Sequence, residues 1–265
     1  MFTLGLIASF IMGTVLSLLG AGGSILSMPI LVYLFGIAVI EATSYSLLLV
    51  GITALFGSIT YFKKKLVDIK VGIIFGIPSI IGVILARKVL LPYIPNEFSI
   101  SEFEFTKSFL IMIVFAALMI VSATLMIRNR KLSFSKTQKD SELEKNVIIV
   151  LEGLVVGQLT GFVGAGGGFL IIPALVLLTG LEMKTAIGTS LFIIAIKSIM
   201  GFGSDLLSGL VMDWYFVLYV SLCTLMGVIA GSLLSKKFSD DTLKRIFGYI
   251  TLVIAAYIII EESLL

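Results

Sequence analysis

The sequence predicts an all-α polytopic membrane protein built from two inverted-topology repeats, on three observations. Hydrophobic residues make up 58% of the 265 positions and charged residues 13%, against about 45–50% and 25% in soluble domains. The apolar residues are gathered into runs, several of them long enough for a bilayer, which takes about 20 helical residues to span. The order of those runs recurs in the second half, with glycine-rich breaks at matching places. A soluble chain of this length could not hide so much apolar surface in its core. A soluble enzyme, a disordered chain and a nucleic-acid binder are thereby excluded. In lipid the runs must be helices or a closed barrel, and barrel strands would alternate over about ten residues, which these runs do not.

The elements follow in order. The first run, Phe2 to about Leu19, has no basic flank and no small-x-small cleavage site, and reads as mature protein rather than a signal peptide. Gly20-Ala21-Gly22-Gly23-Ser24 interrupts it, and a second run, Ile25 to Ile40, carries Pro29. Three longer runs follow at Ala42–Phe62, Val67–Val89 and Ser108–Ile127, completing a first transmembrane repeat over 1–127. Residues 128–146 are rich in Lys, Ser and Glu and form the linker. The second repeat, 147–265, holds Val147–Val163, a break at Gly164–Gly168, then Phe169–Gly180, Ala186–Phe202, Trp214–Leu234 and Ile246–Ile260. Each repeat is thus a glycine-rich broken helix or hairpin followed by three spanning helices.

The duplication shows in the unusual residues. A shift of 144 positions places Gly13 on Gly157, Gly20-Ala21-Gly22-Gly23 on Gly164-Ala165-Gly166-Gly167, Pro29 on Pro173 and Ser46-Leu47 on Ser190-Leu191. One residue of slip then places Asp68 on Asp213 and Gly82 on Gly227. Chance similarity between apolar segments would match Leu and Ile, not Gly, Pro and Ser at one offset.

Charge gives the orientation, because cytoplasmic loops collect Lys and Arg. Loop 63–70, linker 128–146 and loop 235–245 are basic, whereas 203–213 and 90–106, the partners of the two loops, are acidic or lack Lys and Arg. The pattern inverts between halves, so each repeat crosses an odd number of times. The expectation is a multi-pass inner-membrane protein with the linker in the cytoplasm and both termini outside. Whether the glycine-tipped hairpins cross the bilayer fully stays open.

The breaks are the candidate site. Glycines permit positive φ and close approach of a ligand, and the helix starts that follow present unpaired N–H groups and partial positive charge to an anion. Inverted repeats with broken helices bring such ends toward the membrane midplane. Lys197 lies about eleven residues into its apolar run, and an intramembrane charge is a functional candidate by default. The candidate substrate-binding residues are Gly20, Gly22, Gly23, Ser24 and Ser46 in the first half. In the second they are Gly164, Gly166, Gly167, Gly168, Thr189, Ser190 and Lys197. Thr160 and Gln158 add polar groups beside the second tip. No carboxylate is assigned to a span, so proton coupling has no evident carrier. With no His and one Cys, Cys223, neither a metal site nor a cofactor is expected.

Two copies of a helix, a Gly-x-Gly-Gly break, a following Pro and a polar Ser-Leu helix start resemble the TauE/SafE sulfite exporter family of permeases. The motif is clearest in Gly164-Ala165-Gly166-Gly167-Gly168, Pro173 and Thr189-Ser190-Leu191. The first copy departs from it at Ser24 and Tyr45, which replace Gly168 and Thr189. The resemblance implies transport of sulfite, organosulfonates or other sulfur-containing anions. The lack of His, of a Cys cluster and of assigned intramembrane carboxylates argues against an enzyme. The partners expected are therefore a small anionic substrate and the lipid bilayer, with oligomeric state open. The alternatives are a permease for another small substrate, or an anion channel.

Overall fold

A computed structural model describes residues 2–20, 22–100, 103–128, 142–164, 166–177, 179–234 and 237–264. Most of the expected linker, 129–141, lies outside the described residues, as do Ala21 and Ala165 within the two breaks.

The first break separates α1 (Phe2–Leu19) from α2 (Gly22–Pro29), which widens into a π-helical turn over Ile30–Leu34. Pro29 precedes that turn, which closes with the Phe35 N–H donating to the Ile30 carbonyl at 3.1 Å. α3 (Val39–Lys63) and α4 (Ile69–Leu85) follow. The α4 axis continues through a second π turn, Ala86–Leu90, into α5 (Leu91–Tyr93). Then come β1 (Glu97–Ile100), β2 (Phe103–Thr106) and α6 (Lys107–Ile127). The second half comprises α7 (Glu142–Val163), α8 (Gly168–Leu177), α9 (Met183–Leu206), α10 (Trp214–Leu234) and α11 (Asp240–Leu264). Seven helices among the described residues are long and apolar enough to cross a membrane.

The β hairpin differs from the expected acidic loop at 90–106. Glu97 pairs with Thr106 and Ile100 with Phe103, antiparallel. Its sequence alternates polar and apolar residues on both arms, the period of a strand.

The outer surface is apolar. On α4, Ile69, Ile73, Ile77, Ile81 and Leu85 are all exposed, one every four residues, while Gly72, Ser79 and Gly82 are buried. This arrangement suits lipid outside and close helix contact inside. The contact is made by small residues. A side chain at Gly153, Gly157 or Gly161 of α7 would strike Phe75, Ser79 or Val83 of α4. A side chain at Gly227 or Gly231 of α10 would strike Phe10 or Thr14 of α1.

Those two interfaces are equivalent under the repeat. α1 packs on α10 as α7 packs on α4, so each repeat lends a helix to the other. α3 and α9 pack on each other at the centre. Gly51 lies beside Ile199, Gly57 beside Leu191, and Tyr61 beside Gly188, so the two run antiparallel. Two hydrogen bonds repeat the exchange. The Asp68 N–H donates to Thr189 Oγ1 at 2.9 Å, and the Asp213 N–H donates to the Tyr45 hydroxyl at 2.8 Å. Tyr45 and Thr189 occupy equivalent positions. Two different side chains thus play the same part, each tying the central helix of one repeat to a helix start in the other. Tyr45→Phe should cost about 1 kcal/mol by leaving that N–H unpaired. Thr189→Val should cost a similar amount. Thermal unfolding of the two variants checks this, and unchanged melting in both would mean that the pairing contributes nothing.

Candidate functional site

The second break is built from backbone that only glycine adopts freely. The Gly164 N–H donates to the Thr160 carbonyl at 2.9 Å and closes α7. Gly164, Gly166 and Gly167 then take φ of 75°, 64° and 67°. Gly168 opens α8, whose first turn is held from α6 by the Ser122 hydroxyl donating to the Phe169 carbonyl. In the first break Gly20 has φ 72°, and Gly22 and Gly23 belong to α2.

The tips sit farther apart than the sequence predicts. A side chain on Gly20 would meet Ile187, the fifth residue of α9. One on Gly164 would meet Thr43, the fifth residue of α3. Because α3 and α9 are antiparallel, these are opposite ends of the central pair. From Thr43 to Tyr61, which lies beside Gly188, α3 rises about 27 Å at 1.5 Å per residue. The glycines that follow the second tip reach mid-height, where Gly166 lies against Val50 and Ser198 and Gly167 against Thr160 and Lys197. α2 and α8 touch each other between the two ends.

Lys197 is the centre of this cluster. It is 1% exposed. Its Nζ donates to Thr160 Oγ1 at 2.7 Å and lies 2.8 Å from where a side-chain carbon on Gly167 would fall. Among the described residues it forms no ion pair. A buried ammonium with one neutral partner carries an uncompensated desolvation cost. The Ser198 hydroxyl, the next residue along, is buried without a partner among the described residues.

The other expected donors are committed elsewhere. Ser190 donates to the Ile187 carbonyl at 2.8 Å, and Thr189 accepts from Asp68. Both lie toward the N-terminal end of α9, about two turns from Lys197. The Ser46 and Ser27 hydroxyls lie 2.7 Å apart, and Ser27 gives its proton to the Ser24 carbonyl, so Ser46 is the donor between them. Ser24 is buried and engaged. The structure therefore gathers Gly166, Gly167 and Lys197 with Thr160 and Ser198, leaves Ser46 and Thr189 in helix-to-helix contacts and binds Ser190 to the backbone of its own helix. Ser198 was missed; its adjacency to Lys197 was the available signal.

A carboxylate does lie within the apolar stretch of α7, Val147–Val163, which is shorter than the seven membrane-length helices. Glu152 stands ten residues into α7, five beyond the start of its apolar stretch at Val147, and one of its carboxyl oxygens is buried without a partner among the described residues.

Comparison with known proteins agrees with this architecture. The sulfite exporter TauE/SafE family profile matches residues 5–258. A probable membrane transporter protein of Bacillus subtilis, YunE, is 29% identical over 98% of both chains. A probable membrane transporter protein of Xylella fastidiosa is 28% identical over 94% of this chain and 91% of its own. An Arabidopsis thaliana protein named sulfite exporter TauE/SafE family protein 5 is 29% identical over 43% of this chain and 26% of its own. No solved structure matches. Seven membrane-length helices and a family match spanning nearly the whole sequence lead to one statement: the chain is a multi-pass membrane transporter that belongs to the sulfite exporter TauE/SafE family.

Proposed function

We propose that this protein is a permease for small sulfur-containing anions, sulfite or an organosulfonate, and not an enzyme. One observation carries the reading: the buried Lys197 ammonium has a single neutral partner and sits against Gly167, one residue from the start of α8. The cation, the helix-start N–H groups of α8 and the free Ser198 hydroxyl form a donor set for an oxyanion. Substrate binding there relieves the desolvation cost of the ammonium, so the site is selective for negative charge.

Transport proceeds by alternating access, with the repeats 1–127 and 147–265 inverted in the membrane and moving against each other around that site. The antiparallel α3–α9 pair and the exchanged α1–α10 and α4–α7 contacts support such a motion. Contacts between loop ends sort consistently with linker 128–146 in the cytoplasm of an inner-membrane protein and both termini outside. Arg87, Asp205 and Asp213 gather at one end, and Asp68, Lys184, Thr189 and Asp240 at the other.

The test is counterflow in proteoliposomes loaded with sulfite, methanesulfonate, sulfate, chloride or a neutral amino acid. Saturable exchange of labelled sulfite, competed by methanesulfonate and not by the amino acid, is the expected result. Exchange that prefers neutral or cationic solutes would sink the anion reading. Large unitary currents in planar bilayers would make the protein a channel.

A further inference from the structure

Arg87 stands beside Lys88 at the end of a span, where basic residues are usually exposed, yet its side chain is 3% exposed. It sits in the π turn Ala86–Leu90 at the end of α4, an irregularity that is frequent at functional sites. All its contacts are made through one nitrogen. Nη1 lies 3.0 Å from Asp205 Oδ2 on α9 and donates to Thr43 Oγ1 at 2.9 Å and Ser44 Oγ at 3.4 Å on α3. Ser44 in turn donates to the same Asp205 oxygen at 2.6 Å. Nε and Nη2 are buried and have no partner among the described residues.

We propose that the Nε–Nη2 edge of Arg87 is a second oxyanion site, at the outer end of the pathway that leads to Lys197. This rests on the reading of the protein as an anion permease. The free edge presents two parallel N–H groups, the fork that grips two oxygens of a sulfite, sulfonate or similar group. Its neighbour Thr43 lies directly against Gly164, so the site adjoins the glycine loop that runs on to Gly167 and Lys197. Asp205 on the opposite edge neutralises the guanidinium. The site therefore holds an anion by geometry more than by net charge and releases it readily, as a transit site must. At the other end the residues equivalent to Arg87 and Asp205 are Ser232 and Tyr61, so the guanidinium–carboxylate pair and its fork are not repeated there; Lys64 instead donates to the Ser232 carbonyl and lies over the Tyr61 ring.

Selenite replaces sulfite as a probe visible by anomalous scattering in crystals of the full wild-type chain. The expected result is two peaks, one at Lys197 Nζ and one bridging Arg87 Nε and Nη2. A peak at Lys197 with only water at Arg87 overturns the second site and leaves the permease reading intact. No peak at either residue at saturating selenite, together with no sulfite binding in solution, overturns both. Calorimetric titration of sulfite into Arg87→Lys provides a second measurement. Lysine keeps the charge but not the fork, so one of two binding events should weaken roughly tenfold or more. The Lys197-dependent event should persist and report an intact fold. Two events of wild-type affinity in this variant would refute the assignment.

Discussion

Lys197→Met is expected to make the protein more stable and to abolish anion transport. The ammonium is buried in the α9 face toward the second break, with one hydrogen bond to Thr160 and no ion pair among the described residues. Methionine fills a similar volume without a charge to desolvate. Replacing buried ionic groups by apolar ones of like size is often stabilising by about 1–4 kcal/mol. Thr160 is not orphaned by the change, since its hydroxyl still donates to the Gly157 carbonyl at 3.2 Å. Transport should fall about a hundredfold or more, the scale of losing a buried charge that faces its partner. The opposite signs of the two effects separate function from structure. A lysine kept for stability would lower the melting temperature when replaced and leave sulfite counterflow intact, and that pair of outcomes would refute its role in binding. Lys197→Arg should also fail, because the larger head group has no room beside Gly167 and Thr160, where a single added carbon already meets Nζ at 2.8 Å.

The spans and their duplication were legible because bilayer thickness acts on composition and length, which need no tertiary knowledge. The breaks at Gly20 and Gly164 were legible through glycine, and Lys197 through its isolation in an apolar run. The hydroxyls were not. Ser46, Thr189 and Ser190 resemble substrate donors in sequence, but a hydroxyl's partner depends on which helix comes to face it, and here those are α2, the start of α4 and α9's own backbone. Arg87 was hidden for a different reason. It stands beside Lys88 at the end of a span, where basic residues are usually exposed, and the π turn shifts the side-chain phase that a 3.6-residue count would assign. The distance between the two tips was also out of reach, because it follows from the antiparallel crossing of α3 and α9 rather than from either repeat alone.

Gly167→Ala is expected to be among the most damaging single-methyl additions in the protein, and Gly180→Ala supplies its control. Both glycines have positive φ, 67° and 72°, and an alanine in that region costs about 1–2 kcal/mol. Around Gly180 nothing lies within 4 Å of the added carbon, so its cost should end there. At Gly167 the carbon would strike Cβ and Cγ2 of Thr160 and approach the Lys197 ammonium. Thr160 cannot retreat: it is 1% exposed, on a helix whose Gly157 and Gly161 are pressed against α4. Overpacking a closed interior adds about 1–3 kcal/mol to the backbone strain, for a total of about 2–5 kcal/mol. The same displacement moves Lys197 away from the start of α8, so sulfite binding should fall in whatever fraction of the protein still folds. Melting temperatures of the two variants, with sulfite titrated into each, decide the matter. Equal destabilisation by both would mean that the loop yields and that the contact between Gly167, Thr160 and Lys197 is not the rigid floor of the site. A larger loss at Gly167, with binding lost there and kept in Gly180→Ala, is the outcome the geometry demands.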